Sequence, residues 1–576
     1  MAKGGEFVLP SDELPEITTT NDFTEEHKLL KQMLSEFMEG EVVPHTHEIE
    51  SKSALFQQMK MALSKLAELG ILGAEVPEEY GGQAMDKISG AIIAEIISAY
   101  GHGSFATTVL AHTGIGTLPI LLFGTEEQKR KYLPDLVAGK KIGAYSLSEV
   151  DAGSDANAVK AKAVKSEDGT KHLLNGEKKF VTNGGFANIF TVFAKLEGSG
   201  LTAFIVEDDY PGAAKGKEEH KMGIQGSSTV ELIFKDAEVP VGNLLGEPGK
   251  GFKIAVTVLN FGRFKLGAAC LGGGRYAFKK AFNYAKERKQ FKQPIVNFKV
   301  IRHKLARMSA KLYAMESIIY RTAGLLSEPE AGKEFAAECS VVKVACSEML
   351  DHIVDENVQI HGGSGFCEGD PERQYRDSRI NRIFEGTNEI NTILIPGMIL
   401  KSAFEGKIPL IAAAKKLQGE ILSPSLSSKS QSEDLMEELF KTFCNYRKAV
   451  LLASAVNVEK WMAEAKGNPL MLQEVMNSHQ IPVYLMGQCM IDIYVVESIL
   501  AALARNRNEL DDARVKIMFN EVMPELERLT REMIVMACEG DTQMTYLAAL
   551  RRFTKFTPYN MEQLCDFIVK ELIKGA

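Results

Sequence analysis

The sequence holds a single tryptophan, Trp461, and only eight cysteines in 576 residues. Those cysteines (270, 339, 346, 367, 444, 489, 538 and 565) form no C-x-x-C and no zinc spacing, and the eleven histidines include no His-Glu-x-x-His. Neither a disulfide framework nor a metal site is expected. The thiols read as reduced and mostly buried, as in an intracellular protein. Cations are not in excess: the net charge of −9 gives no general electrostatic reason to bind nucleic acid. No run reaches the roughly 18 consecutive apolar residues that span a bilayer. Met1-Ala-Lys-Gly-Gly has neither the apolar core of a secretory signal nor the Arg-rich pattern of a transit peptide. A cytoplasmic protein of bacterial type is expected, at most peripheral to a membrane. No internal repeat is present.

What is there is ordinary globular material, 45% hydrophobic and 25% charged, in a chain too long for one core. Residues 1–22 read as a poorly structured arm, with two prolines and the polar run Thr18-Thr19-Thr20-Asn21. From Phe23 the pattern is helical: Leu29, Leu30, Met33, Leu34, Phe37 and Met38 recur at helix spacing behind Glu25 and Glu26. Helical runs continue to residue 142, broken by loops such as VPEEYGG at 76–82. Residues 143–255 carry the strand-like runs IFTVFAKL, LTAFIVE and TVELIFKD. Here Asn175-Gly176 in HLLNGEKKFV predicts a hairpin turn. Long helical patterns return over 256–405. A Ser-rich linker within 406–435 separates them from a further helical domain, 436–576. The fold class is therefore mainly α with a central β domain.

The chemistry concentrates in Tyr375 to Ile390, YRDSRINRIFEGTNEI. Glu385 stands between a bulky apolar residue and a glycine, and Gly386, Thr387 and Asn388 suit a turn leading into a helix. Ile383 and Phe384 can keep water from the acid, and burial raises a carboxylate's pKa and makes it a stronger base. Such a glutamate can take a carbon-bound proton near neutral pH. On this window alone an exposed loop glutamate beside core residues is the favoured reading, because perturbed acids are the minority.

Five motifs in order supply the context. They are VPEEYGG (76–82), LLFGTEEQKRKYLPDLVAGKKIGAYSLSE (121–149), ERKQF (287–291), QIHGGSGF (359–366) and RDSRINRIFEGTNEI (376–390). With the order helical, β, helical and a second helical extension, the chain resembles the acyl-CoA dehydrogenase family. Within it, the long- and very-long-chain branch with an extra C-terminal domain is the nearest match. The resemblance implies a helical N-terminal domain, a small β-barrel domain and a four-helix-bundle domain, plus the C-terminal helical domain. It is strong over 23–405 and rests more on length and helicity over 406–576.

The resemblance also implies bound FAD. Tyr145, Leu147 and Ser148 match the strand beside the isoalloxazine ring, Phe180 and Thr182 a second flavin-contacting strand, and Ser154 a phosphate or substrate contact. Arg288 and Gln290 match residues reaching the FAD pyrophosphate of a neighbouring subunit; an arginine fork suits phosphate. Gln359 and Gly363 match the adenosine end, and Thr387 and Glu389 match flavin contacts beside the base. Two departures occur: Glu149-Val150-Asp151 replaces the usual Glu-Pro-Gly or Glu-Pro-Ser, and Phe180 replaces the usual flavin-facing tryptophan. On the substrate side, LNFGRFKLG (259–267) matches with Asn260, Gly262 and Arg263, joined by Ser154, Phe384 and Gly386. In the isovaleryl branch the base stands at the position of Gly262. Here that position has no side chain, which leaves Glu385 as the base and space at the pocket floor.

The implied reaction is α,β-dehydrogenation of a long-chain fatty acyl-CoA, the first step of fatty-acid β-oxidation. Glu385 takes the C2 proton and hydride leaves C3 for the flavin, giving a trans-2-enoyl-CoA. Electrons pass to an electron-transferring flavoprotein; two chains complete each FAD, and a homodimer is favoured because in that branch the C-terminal extension covers the surface that forms tetramers in shorter relatives. The alternatives are an acyl-CoA oxidase using dioxygen, or an assembly protein acting through the C-terminal domain. KIPLIAAAKKLQGEIL (407–422), apolar with three lysines, suits a weakly membrane-associated helix or an ordinary surface helix.

Overall fold

The computed structural model describes residues 2–327, 331–422 and 434–575. The chain forms two compact units. The first comprises Phe23–Ala277 with Gly363–Thr387, and the second Met1–Asp22, Phe278–Gly362 and Asn388–Ala576. Of the Ser-rich stretch read as a linker, residues 423–433 lie outside the described residues.

The first unit opens with the helix Glu25–Phe37. Thr24 caps it by accepting from the His27 backbone N–H, while the His27 side chain accepts in return from the Thr24 N–H. This capping box satisfies two of the amides a helix start leaves orphaned. The sheet has eight strands: β1 Gly143–Ser146, β2 Lys162–Lys165, β3 Lys171–Thr182, β4 Ile189–Leu196, β5 Gly200–Glu207, β6 Ala213–Glu218, β7 Thr229–Pro240 and β8 Leu244–Leu245. Their order is β6-β7-β3-β2-β4-β5-β8, with β1 paired in parallel to β4. Phe193, Ala203 and Ile205 of the sheet share one core with Tyr132, Leu133 and Leu136 of the helix Glu126–Val137. That shared core fixes β1 and the start of the helix Gly251–Glu287 in one body, since Leu147, Ile254 and Ala255 belong to it as well.

The expected hairpin at Asn175-Gly176 is not a turn. β3 runs straight through it, with Asn175 opposite Lys162 and Gly176 opposite Phe234. The register shifts between Leu174 and Gly176, and a Cβ on Gly176 would lie 2.8 Å from the Ala161 Cα. The glycine serves close backbone approach at an irregularity, and Asn175 ties β3 to β7 through Asp236. A second register shift follows between Lys178 and Val181. Two residues, Lys179 and Phe180, there stand against Glu231 alone, and Phe180 takes φ +57°.

In the second unit the helix Gln480–Arg505 packs against both Lys299–Leu326 and Asn388–Phe404, so the C-terminal extension and the bundle share a core. Glu497 lies fully inside this packing, where it accepts from Arg321 at 2.7 Å and Arg447 at 2.6 Å. The N-terminal arm is not poorly structured. Phe7, Val8 and Ile17 are buried, and Phe7 meets the Tyr494 ring at 5.0 Å. Its backbone is also tied down: the Gly5 N–H donates to Glu338 at 2.7 Å, and Arg447 and Arg505 donate to the carbonyls of Ser11 and Ile17. The polar composition of the arm hid these anchors because most of its hydrogen bonds are made by backbone groups.

Three helical stretches, Gly103–Phe123, Gly251–Glu287 and Gln480–Arg505, are long and apolar enough to cross a membrane by length and composition, contrary to the reading of consecutive runs. Isolated polar residues break each consecutive run, yet the mean hydropathy of each window stays high. Two thirds or more of each apolar window is buried inside the protein, so these are core helices. The helix Leu410–Leu422 packs on Leu435–Glu464, leaving Ile411 exposed and Leu417 buried.

Candidate active site

Glu385 sits in a strained turn of the first unit, at φ +60°, followed by Gly386 at +81°. A left-handed non-glycine residue costs roughly 1–3 kcal/mol and persists only where its surroundings hold it. The holder is Arg263, buried on the helix Gly251–Glu287, whose Nε donates to the Glu385 carbonyl oxygen at 3.1 Å. The same guanidinium donates through Nη1 to Asn260 Oδ1 at 3.1 Å, one turn back along that helix. Arg263 and Asn260 are thereby locked before any ligand arrives.

The space for the carboxylate comes from Gly262. A Cβ at that position would lie 2.8 Å from Glu385 Oε2, 3.0 Å from Cδ and 3.2 Å from Oε1. Any side chain there would push the carboxylate away. Tyr145 on β1, its ring packed on Phe193, lies near enough for the Glu385 and Arg263 charges to act on its hydroxyl. Its buried hydroxyl has no hydrogen-bond partner among the described residues. Burial pushes this phenol well above its ordinary range; the Glu385 charge adds to the rise and Arg263 opposes it. Ile383, expected to shield the acid, is 48% exposed and does not. Phe384 is half-buried. Gly262 supplies the close packing that Ile383 was expected to give.

Of the residues the sequence assigns to a flavin, five lie in this unit on or beside β1 and β3. Leu147 is buried in the core, Ser148 and Thr182 are half-buried, and Tyr145 faces Glu385's field. Phe180 fits a flat aromatic ligand in one specific respect. It is 65% exposed at a bulge and held left-handed, so the fold spends backbone strain to present an aromatic ring outward. Ser154 is exposed in the loop after β1, Gly363 is exposed, and Thr387 is half-buried beside Gly386. Arg288 and Gln290 are exposed in the second unit, the latter on the short hairpin of Lys289–Gln290 with Gln293–Pro294; Gln359 and Glu389 of that unit are exposed too. Exposed forked and amide donors of this kind suit an anion. No group of three or more His, Cys, Asp or Glu side chains suited to a metal ion occurs among the described residues.

Two buried groups escaped sequence reasoning. Lys178 is fully buried and donates to the Leu147 carbonyl and the Glu149 carboxylate. Asp377, inside the most informative motif, accepts from the Ile224 N–H at 2.5 Å and so anchors the β6–β7 loop. Alternation in GEKKFV gave Lys178 no distinction from its exposed neighbours. Asp377 beside two arginines looked like a solvated charge run.

The fold and this arrangement, a helical region and a β sheet flanking a helix-borne arginine and a loop glutamate, define a class. Family models of the acyl-CoA dehydrogenases match four segments: the N-terminal domain at 24–140, the middle domain at 144–237, and two C-terminal-domain models at 249–399 and 445–552. A probable acyl-CoA dehydrogenase of Bacillus subtilis is 42% identical, with 97% of this chain and 96% of that protein covered. An acyl-CoA dehydrogenase complexed with FAD from Bacillus anthracis superposes with a TM-score of 0.94 at 40% identity, over 100% of this chain and 99% of the other. The mitochondrial very long-chain specific enzyme of Macaca fascicularis is 39% identical over 66% of this chain and 60% of its own length. The chain belongs to the acyl-CoA dehydrogenase family.

Proposed function

We propose that the protein catalyses FAD-dependent α,β-dehydrogenation of long-chain fatty acyl-CoA thioesters to trans-2-enoyl-CoA, with Glu385 as the base, in the first step of fatty-acid β-oxidation. The observation that carries the assignment is the seating of the Glu385 carboxylate against side-chain-free Gly262. When bound, FAD supplies the acceptor for the hydride that leaves C3. The Glu385 carboxylate takes the C2 proton, and Arg263 holds its backbone in the left-handed conformation that aims it. The Glu385 backbone N–H is assigned to the thioester carbonyl, where a fixed donor stabilises the developing enolate charge.

Tyr145, Leu147, Ser148, Phe180, Thr182 and Thr387 are assigned to the flavin ring, and Ser154, Asn260, Phe384 and Gly386 to the acyl-CoA. Arg288, Gln290, Gln359, Gly363 and Glu389 are assigned to the remainder of the cofactor, Arg288 and Gln290 reaching that of a second chain in a homodimer. Electrons leave to an electron-transferring flavoprotein in the cytoplasm. The test is anaerobic titration of the purified flavoprotein with acyl-CoAs of graded length. Bleaching of the flavin band by long chains supports the reading, and no bleaching by any thioester refutes it. Reoxidation rates with dioxygen and with an electron-transferring flavoprotein separate a dehydrogenase from an oxidase.

A further inference from the structure

Lys178 is a lysine whose side chain has no exposure at all. A buried ammonium is unfavourable unless it is paired and hydrogen-bonded. Its partners are unusual in their placement. Nζ donates to the Leu147 carbonyl at 3.0 Å and to Glu149 Oε1 at 2.8 Å, so it grips the residues on either side of Ser148. The backbone grips Ser148 itself, because the Lys179 N–H donates to the Ser148 carbonyl at 2.9 Å. The outermost residue of this bracket is also fixed from the far side. Glu149 Oε2 accepts from the Lys160 N–H at 2.5 Å, Oε1 accepts from the Ala161 N–H at 3.0 Å, and the Glu149 backbone pairs with Ala152. The carboxylate is therefore held by one ammonium and two amides; burial pushes its pKa up, but these bonds outweigh it and keep the pKa below the ordinary range.

The same lysine lies at the edge of the β3 bulge. It is the last residue in register with β7 before Lys179 and Phe180 swing out and Val181 restores the pairing. One side chain thus fixes the spacing between Ser148 and the base of the bulge that presents Phe180. A neutral residue of the same length could fill the space but could not hold the Leu147 carbonyl and the Glu149 carboxylate together.

We propose that Lys178 is a positioning residue for the flavin: with Glu149 it clamps the Ser148 segment to the Phe180 bulge and so sets the two walls between which the isoalloxazine ring is held. This rests on the reading that Ser148 and Phe180 contact FAD. It also accounts for the tolerance of Glu149-Val150-Asp151, since the clamp uses the glutamate and needs no proline after it.

The test compares wild-type holoenzyme with Lys178→Met and Lys178→Met/Glu149→Gln, and with Arg447→Met as a control that breaks a buried ion pair of the second unit. Thermal midpoint, FAD retained per chain, the visible flavin spectrum and the flavin midpoint potential are read for each. The expected result is at least about a tenfold weaker FAD affinity in both Lys178 variants, the loss of charge-assisted hydrogen bonds that hold a binding surface. The flavin band and potential of the fraction still loaded shift as well, neither of which the control reproduces at a matched loss of thermal midpoint. Wild-type FAD content, spectrum and potential in Lys178→Met, with only a lowered midpoint, overturns the positioning role and leaves the flavin reading intact. A wild-type chain that binds no FAD overturns both.

Discussion

The carboxylate of Glu385 stands where a side chain at residue 262 would be: a Cβ on Gly262 would come within 2.8 Å of Oε2. The helix Gly251–Glu287 carries a glycine mid-length, which costs about 1 kcal/mol relative to alanine. The Glu385 turn carries a further cost in its left-handed conformation. Both costs fall at one point of contact, and that is the pattern of a site where geometry outweighs local stability.

Gly262→Ala should therefore separate stability from function. The alanine improves the helix, so the thermal midpoint stays level or rises. The displaced carboxylate loses its aim, and turnover falls by about 10–100-fold, the cost of roughly an ångström of misplacement. Unfolding scans alongside steady-state kinetics check this; full activity with a raised midpoint contradicts it.

Arg263→Lys keeps the charge and loses the fork. The lysine cannot donate to both the Glu385 carbonyl and Asn260 Oδ1, which Nε and Nη1 reach separately. A drop of about 1–3 kcal/mol in unfolding free energy is expected from the loss of these charge-assisted hydrogen bonds. kcat should fall more than KM rises, because the base loses its aim. Denaturant titration and a kcat-against-KM comparison test the two halves separately.

Asp377 sets a pH dependence. Burial, with the nearby Glu50 charge second, raises it from 3.8 to about 7, while the Ile224 N–H, Arg373 and Arg376 pull the other way. For an acid with a raised folded pKa, the folded state binds the proton more tightly than the unfolded state. The stabilising contribution is full below about pH 4 and declines as pH rises toward 7. Asp377→Asn, which mimics the protonated form, should gain on the order of 2–4 kcal/mol over wild type at pH 8 and almost nothing at pH 4. Paired unfolding curves at the two pH values read the difference directly.

The arm yields a simple test. Phe7 is buried against Tyr494, so Phe7→Ala should cost about 3 kcal/mol. An unchanged thermal midpoint would mean the arm is not seated.

What could be read from sequence follows the range of the interactions involved. The start of the first helix, marked by Glu25 and Glu26, and the turn before Asn388 are written in neighbouring residues and were legible. Glu385, Arg263 and Gly262 stand out in distinctive motifs, and the fold brings the three together; their roles toward substrate belong to the proposal. Asn175-Gly176 misled because its local turn preference yields to pairing with Lys162 and Phe234 on distant strands. Lys178, Asp377 and the seating of Phe7 depend on partners far along the chain, which no window contains. Ile383 failed as a shield for the same reason: burial belongs to the packed fold, not to the apolarity of a residue.

The role proposed for Glu385, the base, is open to direct measurement. Glu385→Gln keeps the shape of the side chain and removes its ability to take a proton. The variant should carry a full complement of bound FAD with a normal visible spectrum, while its bleaching by long-chain acyl-CoA in anaerobic stopped flow is slowed by at least ~3 orders of magnitude. Bleaching at close to the wild-type rate would contradict that role.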